Sequence, residues 1–400
     1  MLKTIPTHQV TLGMHIHALN GAWVDHPFWK TKFILNDPAD LKKLKASSVK
    51  EVVIDVAKGK DVPVGDKPPV AEPLVITPTP APAPTRVSAQ QEHAQATRII
   101  KESKRAVASM FKDVRLGKAV NAEAVMPLVE EISASITRNE GALISLVRLK
   151  NQDDYTYMHS VAVCALMTAL AKELKLPESE ARQLGLAGLL HDLGKAQVPL
   201  EILNKPGALS EQEFGLVKKH PEFGHALLLQ AQIGDLVTLD VCLHHHEKID
   251  GTGYPKKLHD TEISLHAKMG AVCDVYDAVT SNRPYKAGWE PGVSLKRMAQ
   301  WTNHFDQTVF RAFVKSVGIY PIGSVVMLKS GRLAVVIDQT PQTLLHPLVK
   351  VFFSTKSKTR IPVTLVDLSK PSAQDEIVGH ESAVAWGIMD VHELWTESEF

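Results

Sequence analysis

Net charge is the first thing this sequence lacks. Its 45 Lys and Arg offset 44 Asp and Glu, leaving +1. No bulk field therefore draws it to a nucleic-acid polymer or to anionic lipid, although local basic patches stay open. Cysteine is scarce: Cys164, Cys242 and Cys273 are too few and too scattered for a disulfide framework, which excludes a small disulfide-stapled fold and fits a reducing compartment. No run approaches the roughly 20 apolar residues needed to span a bilayer. The opening "MLKTIPTHQVTLGMHIHAL" has no continuous apolar stretch after its lysine, so no secretory signal is expected. The expectation is a cytoplasmic protein with no membrane span. No internal repeat is visible.

What is present is length, apolar content and histidine. At 400 residues and 44% hydrophobic, the chain has material for two or three cored domains. Residues 1–60 read as a small α/β N-terminal domain. "HQVTLGMHIHAL" alternates loosely like a strand interrupted by a Gly turn, "DPADLKKLKAS" reads as a helix started by Asp37 or Asp40, and "KEVVIDV" reads as a short strand. Residues 63–84 hold eight prolines, which cannot build a core; 61–87 is read as a semi-stiff linker. From 88 to 318 the apolar spacing is helical, giving an all-α domain with leading helices. "GSVVMLKSGRLAVVIDQT" and "HPLVKVFFSTKSKTRIPVTLVDL" then predict a small β-rich, barrel-like subdomain over 319–372, with an acidic tail from 373 to 400. The fold class expected is multidomain: α/β, then all-α, then β-rich.

Eighteen histidines are unusual, and many fall between His159 and His266. Within the helical region the ligand-type residues form an ordered series: His159 in "YTYMHS", His191 and Asp192 in "GLLHDLGK", His220 in "KKHPEFGH", His245 and His246 in "HHHEKIDGTGYP", and Asp274 in "GAVCDVYDAVTSNRPYK". A single His on an amphipathic helix is ordinarily a surface or core residue. The full order argues otherwise, because cation sites need neutral imidazoles and carboxylates converging from several elements. A carboxylate such as Asp192 has two oxygens and can bridge two cations about 3.5–4 Å apart, a pair that can lower the pKa of a shared water and deliver hydroxide to phosphorus. In the histidine run, His244 is read as a polar helix residue. Glu247 and Asp250 are read as braces for the turn, and Gly251 and Gly253 as glycines required by its backbone angles. Asp277, one turn after Asp274, is a candidate for orienting a histidine N–H. Cys273 is read as core-facing, and His225 and His266 as structural.

The motifs "HDLGK" and "HHEKIDGTGYP", with "YTYMHS", "HPEFG" and "DVYDAVTSNRPYK", resemble the HD-GYP domains of bacterial signalling proteins, a branch of the HD phosphohydrolase superfamily. The resemblance covers roughly residues 125–318. Residues 1–60 are similar to a domain that precedes some HD-GYP domains. The resemblance implies an HD-type helical catalytic domain that hydrolyses cyclic di-GMP to pGpG and in some cases onward to GMP, using two or three metals, usually iron or manganese. It implies that His159, His191, Asp192 and Asp274 hold one metal, and that Asp192, His220, His245 and His246 hold a second. Asp192 and Lys195 would be catalytic, with Lys195 contacting phosphate or helping to protonate the leaving group. Arg283 and Lys286 would bind the ligand's phosphates, and Tyr254 would form a ligand-side lip. Trimetallic members carry a glutamate four residues before the first histidine; here that position is Tyr155, so two metals are expected, iron or manganese. The Gly-Tyr-Pro loop is a substrate wall or a docking surface for a protein partner, and a homodimer is compatible with this reading. The alternatives kept open are a cyclic dinucleotide receptor with little turnover and a hydrolase of another cyclic dinucleotide.

Overall fold

The computed structural model describes residues 2–20, 33–47, 49, 51–62, 86–149, 155–281, 288–340 and 343–396. The chain divides into two compact units, residues 1–81 and 82–400. In the first, β1 (Leu2–Pro6), β2 (His15–Asn20), β3 (Phe33–Ile34) and β4 (Glu51–Asp55) form an antiparallel sheet in the order β1-β4-β2-β3. The helix α1 (Pro38–Ala46) starts where Asp37 accepts a hydrogen bond from the Ala39 amide at 2.7 Å, with Pro38 supplying the fixed φ of a first turn. Asp37 rather than Asp40 is therefore the cap. The segment read as one interrupted strand splits: residues 7–9 form a 3-10 turn, and β2 begins only at His15. Ile5, Val10, Met14, Ile16, Leu35, Leu44, Val52 and Ile54 fill the small core. The eight prolines of the expected linker lie outside the described residues.

In the second unit, helices run from Ala89 to Val317: α2 (Ala89–Arg115), α3 (Met126–Arg138), α4 (Glu140–Val147), α5 (Tyr155–Glu173), α6 (Glu178–Leu190), α7 (Leu200–Leu203), α8 (Glu211–Val217), α9 (His220–Gln230), α10 (Leu236–His244), α11 (Leu265–Thr280), α12 (Pro291–Ala299) and α13 (Gln307–Val317). Ser88 and Gln91 close a reciprocal capping box that starts the 27-residue α2. The centre of the bundle is α5. Every residue from Met158 to Ala171 is buried, as expected of a helix apolar on all sides. The residues of α6, α11 and α13 share its core. Among the described residues no helix is long and apolar enough to cross a membrane.

The C-terminal strands depart from expectation in two ways. They form one antiparallel sheet, β8-β7-β6-β5-β9, from β5 (Val325–Leu328), β6 (Arg332–Thr340), β7 (Thr343–Ser354), β8 (Thr359–Asp367) and β9 (Ile377–His380). Among the described residues β8 pairs only with β7 and β9 only with β5, so the sheet does not close into the expected barrel. Its strands alternate between two faces: Leu333 and Val335 join the helical core, while Ala334 and Val336 join a second small core with Val349 and Val351. The expected tail is a second correction. Residues 377–380 are an edge strand, and Trp395 is buried in the helical core. Acidic composition hid both, because a four-residue edge strand and a single anchoring Trp leave no periodic signal.

Candidate metal centre

Five helix ends or turns deliver the polar groups to one buried point. His159 sits one turn into α5. His191 caps the C-terminus of α6, and Asp192 opens the 3-10 turn Leu193–Gln197 that follows. His220 is the first residue of α9, where Pro221 costs no hydrogen bond because first-turn amides have no helical partner. α10 starts at an Asp235 cap and ends at His244, with His245 as its C-cap and His246 beyond. Asp274 and Asp277 project from the middle of α11. Helix ends serve here because a side chain at a terminus can be aimed by the turn that follows it.

The result is two clusters sharing one residue. Ligand atoms of His159, His191 and Asp192 lie within 4.8 Å of one another, as do those of Asp192, His220, His245 and His246. Asp192 Oδ2 lies 3.3 Å from His159 Nε2 and 3.4 Å from His191 Nε2; its Oδ1 lies 3.2 Å from His220 Nε2 and 3.9 Å from His245 Nε2. Asp274 joins the first cluster, with Oδ1 3.0 Å from His159 Nε2, and reaches His246 Nδ1 with Oδ2 at 3.5 Å. Lys195 Nζ donates to Asp192 Oδ2 at 2.5 Å. The Tyr254 ring stacks on His246 with centroids 4.6 Å apart.

Hydrogen bonding fixes the tautomers. Nδ1–H of His159 donates to Asp277 Oδ2 (2.6 Å), that of His191 to Gly188 O (2.8 Å), that of His220 to Val217 O (2.7 Å) and that of His245 to Val241 O (3.0 Å). Carbonyls and carboxylates only accept, so each Nδ1 must carry its proton, and each Nε2 is turned inward toward Asp192. Nε2 atoms of His159 and His191 are 3.2 Å apart, and those of His220 and His245 are 3.3 Å apart. Were both rings of a pair neutral, as metal ligands are, these nitrogens would turn lone pair on lone pair. Asp192 Oδ1, buried, accepts no hydrogen bond among the described residues. An acceptor in that position costs about 1–3 kcal/mol.

These groups are almost fully buried: His191 is 0% exposed, and Asp192, His220 and His245 are 1% exposed. Burial and the neighbouring imidazole of His246 hold His245 well below the usual histidine range; burial puts His246 at about 3. Both stay neutral, as metal ligands must. Burial would raise Asp192, but Lys195 and His191 outweigh it and hold the carboxylate well below its usual range. His159 goes the other way, pushed up to about 10: burial opposes this, and hydrogen bonds to Asp192, Asp274 and Asp277 overcome it. Three buried carboxylates around one imidazole draw in a proton, the same demand a cation would meet. Donor chemistry, inward lone pairs and the orphaned oxygen all fit divalent cations with N and O ligands.

Around the centre the loop is braced as expected. Glu247 accepts from the amides of Lys256 (2.6 Å), Lys257 (3.1 Å) and Leu258 (3.0 Å), and Asp250 accepts from the Thr252 amide and hydroxyl. Gly251 has φ +75°, a region open to glycine. His244 turns away to donate to Asp240 at 2.7 Å, His266 pairs with Glu180 at 2.7 Å, and Cys273 is buried. Neither His225 nor His266 falls in either cluster. Arg283 and Lys286 lie outside the described residues, as does the side chain of Tyr155, which opens α5. Sequence reasoning missed the need for glycine at 194: a Cβ there would meet His220 O at 1.9 Å, so the "HDLGK" turn packs backbone to backbone on α9. The Gly beside the His-Asp pair was the available signal.

Comparison with known proteins agrees with this geometry. A model of a domain of unknown function (DUF3391) matches residues 2–125, and the HD domain model matches residues 138–309. Over 397 residues, 99% of this chain and 96% of its counterpart, the chain is 54% identical to the cyclic di-GMP phosphodiesterase PA4108 of Pseudomonas aeruginosa. The chain belongs to the HD-GYP family. Two further relatives match part of the chain. The cyclic di-GMP phosphodiesterase response regulator RpfG of Xanthomonas campestris is 40% identical over 36% of this chain and 39% of its own length. The 3′3′-cGAMP-specific phosphodiesterase 1 of Vibrio cholerae is 35% identical over 44% of this chain and 40% of its own. This HD-GYP protein is thus multidomain, with a helical HD domain that binds divalent metal and a C-terminal β-sheet region.

Proposed function

We propose that the protein is a metal-dependent phosphodiesterase that hydrolyses cyclic di-GMP. The observation that supports this best is the split of Asp192: each oxygen faces its own pair of inward Nε2 atoms, His159 and His191 at one and His220 and His245 at the other. That pattern would suit two cations, with Asp192 offering one carboxylate oxygen toward each. We assign His159, His191, Asp192 and Asp274 to one, and Asp192, His220, His245 and His246 to the other, with iron or manganese as the ions. When bound, such a pair supplies Lewis acidity toward a phosphoryl oxygen and a water acidified for attack on phosphorus.

The chain's own groups do the rest. Asp277 accepts from His159 Nδ1–H and so turns Nε2 toward Asp192 and Asp274. Lys195, 20% exposed at its side chain and anchored on Asp192, presents an ammonium at the pocket side, where it neutralises developing phosphate charge or gives a proton to the departing ribose oxygen. Tyr254, stacked over His246, walls the site on the ligand side. Arg283 and Lys286 are assigned to the ligand's phosphates on their sequence motif, guanidinium matching phosphate oxygens as a fork. The Gly-Tyr-Pro loop remains a candidate surface for a protein partner.

The test is turnover of cyclic di-GMP with Mn²⁺ or Fe²⁺, set beside binding by metal-stripped protein, with pGpG and GMP separated as products. Metal-dependent hydrolysis is expected. Tight binding without turnover at any metal load would instead make the protein a receptor. Because the Vibrio cholerae relative is described as 3′3′-cGAMP-specific, that dinucleotide belongs in the same assay, and faster cleavage of it would move the substrate assignment.

A further inference from the structure

Lys195 sits on a short turn at the edge of the metal centre. The five-residue 3-10 turn Leu193–Gln197 is held by its own backbone through Lys195 N–H to Asp192 O (2.9 Å) and Val198 N–H to Lys195 O (3.2 Å). Gly194 wedges it against α9. A further tie comes from 80 residues away. Arg115, the last residue of α2, donates from Nη2 to Lys195 O and from Nη1 to Val198 O, both at 3.1 Å. The other end of α2 is fixed too: the Ala89 amide donates to Asp338 Oδ2 at 3.0 Å, and buried Glu92 pairs with Arg138 at 2.6 Å.

We infer that Arg115 is a positioning residue for Lys195, acting through the main chain of this turn; the inference rests on the role given to Lys195 above. Two carbonyls three residues apart are taken by one planar fork, a geometry that guanidinium provides and a single ammonium does not. The clamp matters because a lysine side chain has four soft torsions and much rotamer freedom to lose. If the turn carrying Lys195 shifts, Nζ leaves Asp192 Oδ2 without any change in Lys195 itself. A displacement near 1 Å at a reacting group can cost about 10²-fold in rate, and a partial release of the turn costs less. Among the described residues no metal-cluster side chain hydrogen-bonds Arg115, so metal per chain is expected to hold when Arg115 is changed.

The experiment is a double-mutant cycle on the full chain, read as kcat and KM for cyclic di-GMP with Mn²⁺, together with metal content. Arg115→Ala is expected to lower kcat about 10-fold with KM changed less than about twofold and metal per chain unchanged. Arg115→Lys, reaching one carbonyl, should fall between Arg115→Ala and wild type. In a Lys195→Ala background, Arg115→Ala should add less than about twofold, since the group it positions is gone. If Lys195→Ala has no measurable turnover, Lys195→Arg serves as the background, where the Arg115 effect should still shrink. If Arg115→Ala does not fold, Arg115→Lys carries the cycle. An equal loss in both backgrounds, or a loss of bound metal in Arg115→Lys, would overturn the inference. Lys195→Ala at wild-type kcat would overturn it by removing its premise, an outcome distinct from failure of the wild-type protein to cleave cyclic di-GMP at all.

Discussion

His159 reaches across 118 residues for the carboxylate that orients it, whereas Glu247 finds all three of its amide partners within eleven. The metal centre and the loop beside it touch through His246 and Tyr254, yet they are held at opposite ranges of the chain. The centre is a long-range object: α5, α6, α9, α10 and α11 each bring one or two groups, and those helices are fixed by the common apolar core. The loop is a local object, made of carboxylates accepting from neighbouring amides and of Gly251 at positive φ. Defects in the first should therefore act on metal and all of catalysis. Defects in the second should act on substrate and leave the metal in place.

The hardest test of that division is Asp192→Ala. It removes both bridging oxygens and leaves buried imidazoles facing one another. Activity should vanish, and elemental analysis should fall from close to two ions per chain toward none. Active wild-type enzyme with a single ion would break the two-cluster reading. Asp277→Asn should come next. It removes no assigned metal ligand but takes the charge from the group that fixes His159, and partners of this kind are worth about 10–100-fold in metal affinity or activity. A titration showing weaker metal binding, with activity recovered at high Mn²⁺, is the expected result; an unchanged metal affinity would mean that the long-range hydrogen bond is not part of the centre.

Glu247→Ala crosses to the local side. It strands three amides whose hydrogen bonds to a charged acceptor are each worth about 1.5–3 kcal/mol. The expected outcome is a rise in KM of about 3–10-fold, faster proteolytic nicking between 248 and 258, and two metals still bound. Loss of metal in this variant would erase the distinction between the two regions.

The same difference in range explains what could be read from the sequence. "HDLGK", "HPEFG" and "HHHEKIDGTGYP" are contiguous, so their ligands, braces and glycines were legible, as was the helical span that carries them. Asp277 could be named but not placed, because its partner is remote. Arg115 gave no sign at all: an arginine at a helix end is ordinary until the fold brings residues 195 and 198 to it. The sheet failed for the same reason. Its strands were visible in alternation, but whether β8 meets β9, and that residues 377–380 supply an edge, depends on pairing between distant segments.

The smallest effect is expected where the two regions meet. Tyr254 lies on the loop, and its ring stacks on His246 at an interplanar angle of 29°. Burial, with Asp274 and Asp192 nearby, raises its phenol, so the hydroxyl stays protonated across the working pH range and can donate but not ligate as phenolate. Two substitutions separate ring from hydroxyl. Tyr254→Phe keeps the stack and should change kcat/KM by no more than about twofold if packing is the whole contribution. Tyr254→Ala removes the ring pair, worth about 0.5–1.5 kcal/mol, and should cost roughly 2–10-fold. Metal content should hold in both, since His246 retains its approach to Asp274. A loss in Tyr254→Phe as large as in Tyr254→Ala would show that the hydroxyl carries the effect, placing Tyr254 in direct contact with the ligand. A loss of metal in Tyr254→Ala would show that the loop holds His246 in position, and the boundary between local and long-range parts would then run through the centre itself.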